Sequence, residues 1–195
     1  MDTRLISIDE LLVPRVLPQV LPCPRTMVLD ALQTVAMDFC SATEAWTEAA
    51  METVCAGEAS FHLPLARGVH AVRIKGLWID GSQMDRTAYW SDGGMIFLRA
   101  APTRCCTVTV NAVLRPSRLG DTKMPETLLE EWGDVLVFGA LAKLKAMSGN
   151  KIEWADIQGA QTNNQLYIEG TARARGQIFR NRHGGGLLFN GDNNA

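Results

Sequence analysis

The sequence PETLLEEWGDVLVFGALAKLKAMS, at residues 125–148, carries apolar side chains around far more than one stripe of a helix. Pro125 suits the first helical turn, and the acidic Glu126 suits the positive end of the helix dipole. Lys143 and Lys145 suit the negative end. Because a helix that is apolar on most sides is buried on most sides, the stretch predicts a helix enclosed within a helical body.

Two more helices are predicted on either side of this stretch. Residues 26–55 repeat apolar side chains at three- and four-residue steps, with a bend expected near residue 41. Residues 154–183 form a last helix with a largely polar surface. Each interior glycine of this helix costs about 1 kcal/mol relative to alanine, so it needs support from packing against other helices. These glycines are Gly159, Gly170 and Gly176.

Between the helices, at residues 58–116, the apolar pattern changes to a period of two. Asp80-Gly81 and the Gly-rich stretch at 91–94 have the composition of tight turns. The pattern predicts about four to six short antiparallel strands. The order of helices, strands and helices predicts an α+β fold, in which a helical body (26–57 and 117–183) carries an inserted β region (58–116).

The two ends of the chain differ from the rest. The first 25 residues contain four prolines, which disfavour a helix and a central strand, so we expect an extended arm. Its apolar side chains must lie either on the protein's own body or on a neighbouring subunit. The candidate inter-subunit residues are Leu12, Val16, Leu17, Val20 and Leu21. Residues 184–195 are expected to be a flexible tail with one apolar cluster, formed by Leu187, Leu188 and Phe189.

Composition narrows the classes of function. The chain has 195 residues, which suits one domain, and a net charge of -2, which gives no overall attraction to nucleic acid or anionic membranes. We expect no signal peptide and no membrane helix. The five cysteines are irregularly spaced, which predicts free thiols in a reducing cytoplasm and no metal site or cofactor.

One pairing of residues has the composition of a nucleophile and its base. Cys105 or Cys106 would have to meet His62 or His70, and all four lie in predicted strands. The favoured interpretation is that these four residues have only a structural role in the strands. We therefore expect that the protein is not an enzyme. A thiol hydrolase stays open as a minor alternative.

The end of the last predicted helix is strongly basic. The cluster consists of Arg173, Arg175, Arg180, Arg182 and His183, and no acidic residue lies between Glu169 and Asp192. Arginine suits both carboxylate and phosphate partners, so a protein partner and a DNA backbone both remain possible. The adjacent Leu-Leu-Phe cluster favours a protein partner, and a nucleic-acid-binding module is the alternative.

The order of several short motifs resembles a known family. FCSATEAW ends the first predicted helix at 39–46, LRP closes the strands at 114–116, and MPETLLEEW at 124–132 leads to GALAKL at 139–144. GTARAR follows at 170–175. Together they resemble the head-to-tail adaptors of tailed bacteriophages, especially the tail tubular protein A type of the short-tailed phages.

The resemblance implies a structural virion protein. Such adaptors form a ring, commonly dodecameric, that joins the portal protein to the tail tube or nozzle and lines a channel through which DNA passes without sequence-specific binding. It implies a place at the head–tail junction of the virion, after synthesis in the host cytoplasm, and no membrane contact. The residues that would meet the portal are Arg173, Arg175, Arg180, Arg182, His183, Leu187, Leu188 and Phe189.

Overall fold

The computed structural model describes residues 4–118, 122–147 and 152–183. It confirms the predicted α+β class, with 46% of the chain in helices and 29% in strands. Within the described residues there are four α-helices: α1 (Ile8–Val16), α2 (Arg25–Thr43), α3 (Glu126–Lys145) and α4 (Ile157–His183).

All strand pairs in the described part of the chain are antiparallel, and they form three sheets. The strands are β1 (Leu5–Ser7), β2 (Thr47–Val54), β3 (Ser60–His62), β4 (Val69–Ile79), β5 (Ser82–Gln83), β6 (Tyr89–Asp92), β7 (Met95–Leu98), β8 (Cys106–Pro116) and β9 (Lys123–Pro125). The sheet orders are β2-β8-β4-β5, β3-β7-β6 and β1-β9. Strands β4 and β8 have 11 residues each, so two of the strands are longer than predicted.

The buried helix predicted from residues 125–148 is confirmed as α3. It contacts α1, α2 and α4, and Leu136 and Leu144 in it are fully buried. One continuous apolar core joins this helix to the sheets, because Leu114 of β8 and Ile96 of β7 belong to the same cluster as Leu136.

The prediction for the second half of the first helix is wrong. The helix α2 ends at Thr43, and residues Thr47–Val54 form β2, which pairs with β8. Glu44 has a left-handed backbone (φ 58) and donates its N–H to the carbonyl of Cys40 at 2.9 Å, which ends the helix. Its carboxylate pairs with Arg73 and Lys75 of β4, so the charges of the neighbouring sheet hold the turn in place.

The prediction of an extended N-terminal arm is also wrong, because α1 is a helix with Pro14 inside it. A proline within a helix costs about 3 kcal/mol. Burial of one aliphatic side chain contributes about 1.5–3 kcal/mol, and Ile8, Leu12 and Val16 are each at most 1% exposed. Packing of the apolar face on the protein's own body therefore outweighs the cost of the proline.

The last predicted helix is confirmed, although it begins at Ile157 instead of residue 154. Asp156 caps it, since its carboxylate accepts the N–H of Gly159 at 2.8 Å. The same carboxylate accepts a hydrogen bond from Lys145 at 3.1 Å, which ties the start of α4 to the end of α3. Residues 152–156 therefore form a fixed connection before the helix.

Candidate interaction surfaces

The candidate nucleophile and base are not brought together. Cys106 pairs in register with Val54 at the start of β8, whereas His70 pairs with Arg115 near its other end. Nine residues of strand separate these two positions, a distance of roughly 30 Å. His62 lies on β3, in another sheet. Among the residues that the structure describes, no group of three or more His, Cys, Asp or Glu side chains is placed to hold a metal ion.

The thiols at positions 40 and 106 are buried. Burial raises the pKa of Cys40 to about 12. Burial, followed by the nearby charges of Asp80 and Cys105, raises the pKa of Cys106, whose thiol donates to the carbonyl of Val54 at 3.8 Å. Both thiols are therefore protonated at neutral pH, and neither is a ready nucleophile.

The candidate inter-subunit residues of the N-terminal segment divide into two groups. Leu12, Val16 and Val20 are at most 1% exposed, because they pack into the protein's own core, and Leu17 is half-buried against that core. The prediction that these four residues contact a neighbouring subunit is therefore wrong, because they pack against the protein's own body. Leu21 differs, since it is 64% exposed.

The helix α4 has one face against the body and other faces in solvent. Ala160 and Ala174 are buried, and a Cβ added at Gly170 would lie 2.5 Å from the side chain of Val135 in α3. Small residues thus allow α4 to approach α3 closely, as the sequence predicted for its glycines. Gly176 is different, because the nearest atom to an added Cβ is 3.9 Å away.

Three exposed apolar residues, with polar residues between them, form a discontinuous stripe along one side of α4. We define it by Ile157, Ile168 and Phe179, which are 58%, 52% and 64% exposed. They follow one another at intervals of eleven residues, about three helical turns, so they lie on nearly the same side. Sequence reasoning did not single out these residues, although the eleven-residue interval was a visible signal.

A groove between α3 and α4 adjoins this stripe. Its volume is ≈ 390 Å³, and small side chains on both helices leave the space open. The lining residues are Gly139, Ala142, Lys143, Ala146, Ile157, Ala160, Gln161, Asn164 and Tyr167. Burial raises the pKa of Tyr167, and the carboxylate of Asp38 raises it further. Since Ile157 belongs to both features, the groove and the stripe meet at the start of α4.

The basic end of α4 is only partly available to a partner. Arg175 donates from Nε to the carbonyl of Ala42 at 3.1 Å, in the last turn of α2, where carbonyls lack helical partners. Arg173 and Arg180 are exposed, and their seven-residue spacing places them on one side of the helix. The side chains of Arg182 and His183, and the whole of Leu187, Leu188 and Phe189, lie outside the described residues.

The β region has an exposed aromatic pair of its own. The rings of Trp90 and Phe97, on β6 and β7, stack with their centroids 5.3 Å apart and their planes 10° apart. Trp90 is 53% exposed, and Met51 on β2 is 67% exposed. Apolar side chains are therefore open to solvent on the sheets as well as on α4.

Comparison with known proteins identifies no family. No protein-family model matches the chain, and no curated protein matches it significantly. In the part of the chain that the structure describes, no helix is both long enough and apolar enough to cross a membrane.

Proposed function

We propose that the protein is a structural subunit of a homo-oligomeric ring that joins the portal to the tail of a bacteriophage. The ring is dodecameric in this proposal, as the resemblance to the phage adaptors implies. The observation that carries the proposal is the apolar surface formed by the α3–α4 groove with Ile157 and Ile168. No part of the chain that the structure describes covers Ile157 or Ile168 completely, since both are more than half exposed. A second copy of the chain is the occupant to which the proposal commits.

The proposed ring requires a head-to-tail contact between copies. Exposed apolar residues also lie outside this surface, among them Leu21, Met51 and Trp90, so the surface that meets it on the next copy can be a different one. A contact that joins two different surfaces is heterologous, and it produces a ring when the rotation between copies closes. Repetition of one such contact would bury the groove of every subunit.

The attachment to portal and tail rests on the resemblance stated for the sequence. Arg173 and Arg180 at the exposed end of α4 support it, because arginine forms strong paired contacts with carboxylates of a partner protein. In this proposal the ring lies at the head–tail junction of the virion, after synthesis in the host cytoplasm. It performs no catalysis, and DNA passes through its channel.

Nucleic-acid binding through α4 is the second candidate function. The exposed Arg173 and Arg180 favour it, since both could contact phosphates from one side of the helix. Glu169 lies four residues before Arg173 and reduces the positive charge there. Affinity for short duplexes that falls steeply with salt would favour this alternative over the ring.

The oligomeric state of matched variants tests the ring. We expect the purified protein to form a discrete high-order oligomer in sedimentation velocity and native mass spectrometry. The Ile168→Asp variant places a charge on the apolar surface and should be monomeric, with an unchanged circular dichroism spectrum because Ile168 is 52% exposed.

Leu166→Asp is the matched control. Leu166 is 39% exposed and lies on the same helix, two residues away and therefore on a different side. This variant should assemble like the wild type. A wild-type protein that stays monomeric at high micromolar concentration, or equal loss of assembly in both variants, would contradict the proposal.

A further inference from the structure

Two exposed cysteines lie opposite each other where β2 ends and β8 begins. The last residues paired in register are Val54 and Cys106, and one further step places Cys55 opposite Cys105. The N–H of Leu114 donates to the carbonyl of Trp46 at 2.8 Å, so the hydrogen-bonded pairs occur at every second position counted from that pair. The pair formed by Cys55 and Cys105 is therefore of the non-hydrogen-bonded type.

The type of pair sets the distance between the two side chains. Non-hydrogen-bonded pairs bring opposite Cα atoms to about 4.5 Å, which lies within the range of about 4.4–6.8 Å that a disulfide needs. Both side chains also point to the same, solvent-facing side, because Cys55 and Cys105 are exposed whereas their neighbours Val54 and Cys106 are buried. A side-chain hydrogen bond with Cys105, followed by the charge of Cys105, raises the pKa of Cys55, as expected for two thiols that lie close together.

Hydrogen bonds hold the backbone on both sides of this pair. On one strand, the N–H of Cys55 donates to the carboxylate of Glu58 at 3.0 Å. Across the strands, the N–H of Gly57 donates to the carbonyl of Pro102 at 2.9 Å. After Cys105, the N–H of Thr107 donates to the carboxylate of Asp80 at 2.9 Å. The backbone around Cys55 and Cys105 is therefore fixed by hydrogen bonds, which keeps the two residues opposite each other.

We propose that Cys55 and Cys105 form a redox-active thiol pair that closes to an intramolecular disulfide when the protein meets a low-molecular-weight disulfide such as oxidised glutathione. The sequence predicted five free thiols, and the described structure holds all five as free thiols. The inference concerns the oxidised state of this one pair and is independent of the proposed ring. The buried Cys23, Cys40 and Cys106 take no part.

The reaction is two successive thiol–disulfide exchanges. The thiolate of one cysteine attacks a sulfur of oxidised glutathione, which forms a mixed disulfide and releases one glutathione thiolate. The thiolate of the second cysteine then attacks the protein sulfur of that mixed disulfide and releases the second glutathione. The protein pair loses two electrons and two protons, and two molecules of reduced glutathione carry them away.

The disulfide would close a loop that contains most of the β region. The linked residues enclose the chain from 55 to 105, which includes β3 to β7. Cross-linking a loop of this length restricts the unfolded chain, and its ends are already close in the folded state. We expect oxidation to raise the melting temperature by roughly 5 to 10 °C.

Peptide mapping of the oxidised full-length protein tests the pair. The reduced protein is incubated with oxidised glutathione at low concentration, alkylated, and digested with trypsin and a glutamate-specific protease. Cleavage after Glu52 and Glu58 separates Cys55 from Cys40, and cleavage after Arg104 releases Cys105 with Cys106. We expect a linked peptide pair that disappears on reduction, in a protein that remains one chain on a non-reducing gel.

Three variants decide which sulfurs are joined. Cys106→Ala should keep the link and the rise in melting temperature, whereas Cys55→Ser and Cys105→Ser should lose both. Serine suits these exposed positions, and circular dichroism checks that both variants fold. A link that depends on Cys106, a glutathione adduct that never resolves, a link only between chains, or no oxidation at all would each overturn the proposal.

Discussion

The helices α3 and α4 pack against each other, yet they differ in what surrounds their other sides. In α3, eleven of the residues are buried, and neighbours from the same chain cover most of its circumference. In α4, the face against α3 carries small residues such as Ala160 and Ala174, while Ile157 and Ile168 remain exposed. Residues of the same chain are therefore enough to bury α3. The described residues leave Ile157 and Ile168 of α4 exposed to solvent.

The contact between the two helices depends on small residues from both. A Cβ added at Gly139 of α3 would lie 2.8 Å from the ring of Tyr167, and one at Gly170 of α4 would lie 2.5 Å from Val135. Real Cβ atoms do not approach other heavy atoms so closely, so each glycine fits the large side chain of the opposite helix. The stability of α4 therefore depends on this contact more than on its own helix propensity.

The sharpest test of the comparison replaces one aliphatic residue in each helix with alanine. Leu136→Ala in α3 removes a side chain that is fully buried, so we expect a loss of about 2–5 kcal/mol in the free energy of unfolding. Ile168→Ala in α4 removes one that is 52% exposed, and the change should stay within about 0.5 kcal/mol.

Urea unfolding of the monomeric protein measures both changes. A protein concentration low enough to keep every variant monomeric prevents assembly from contributing to the measured stabilities, since binding to a partner stabilises the folded state. Equal losses at both positions would mean that α4 is covered on both sides within one chain, and the distinction between the helices would fail.

The same distinction explains which parts of the fold sequence reasoning could predict. The α3 pattern was saturated with apolar residues, so its burial followed from composition alone. For the segment at 47–54 the sequence predicts a helix, because Thr43 and Trp46 have the pattern of a cap and an apolar repeat. Its strand structure depends on pairing with β8, more than fifty residues later, and no local pattern reports that pairing.

The N-terminal segment shows a second limit of prediction from local sequence. Four prolines argued against a helix, but burial of Ile8 and Leu12 in the core compensates for Pro14. A propensity is a local cost, and the tertiary gain that offsets it cannot be read from the segment itself.

The candidate site was only partly predictable. Of the three glycines of α4, Gly170 correctly indicated a close contact with α3, whereas Gly176 has no close neighbour. The basic cluster is visible in the sequence. That Arg175 contacts Ala42 could not be foreseen, because the two residues are 133 positions apart. The alternative of a Cys–His pair likewise needed the register of β8 to separate Cys106 from His70.

Two glycine substitutions within α4 sharpen the comparison at a smaller scale. Gly170→Ala forces a methyl group against the branched side chain of Val135, so we expect a loss of about 1–3 kcal/mol in the free energy of unfolding. Gly176→Ala meets only the flexible end of Arg180, at 3.9 Å, and should stabilise the protein by up to about 1 kcal/mol. Thermal unfolding of both variants gives the two opposite signs, and stabilisation by Gly170→Ala would show that α4 does not pack closely on α3.

The smallest expected effect concerns Asp156, which lies just before α4 and bonds to the end of α3. The N–H of Gly159, followed by the ammonium of Lys145, holds the pKa of Asp156 below its usual value. A carboxylate whose folded pKa is depressed contributes stability that is fully present above its unfolded pKa of about 3.9 and is lost as the pH falls through the folded pKa. The Asp156→Asn variant should therefore melt below the wild type at about pH 6, and the difference should shrink as the pH falls below about 3.9.

Asp38→Asn is the control for this change, because it removes an exposed carboxylate that pairs with Lys143 at 3.2 Å and caps no helix. At about pH 6 it should lower the melting temperature less than Asp156→Asn does, since exposed ion pairs contribute little. If the difference between wild type and Asp156→Asn stayed constant down to about pH 2.5, the charge of Asp156 would not stabilise the start of α4. The helix would then depend on its packing against α3 alone, which would make the contact at Gly170 the main determinant of where α4 lies.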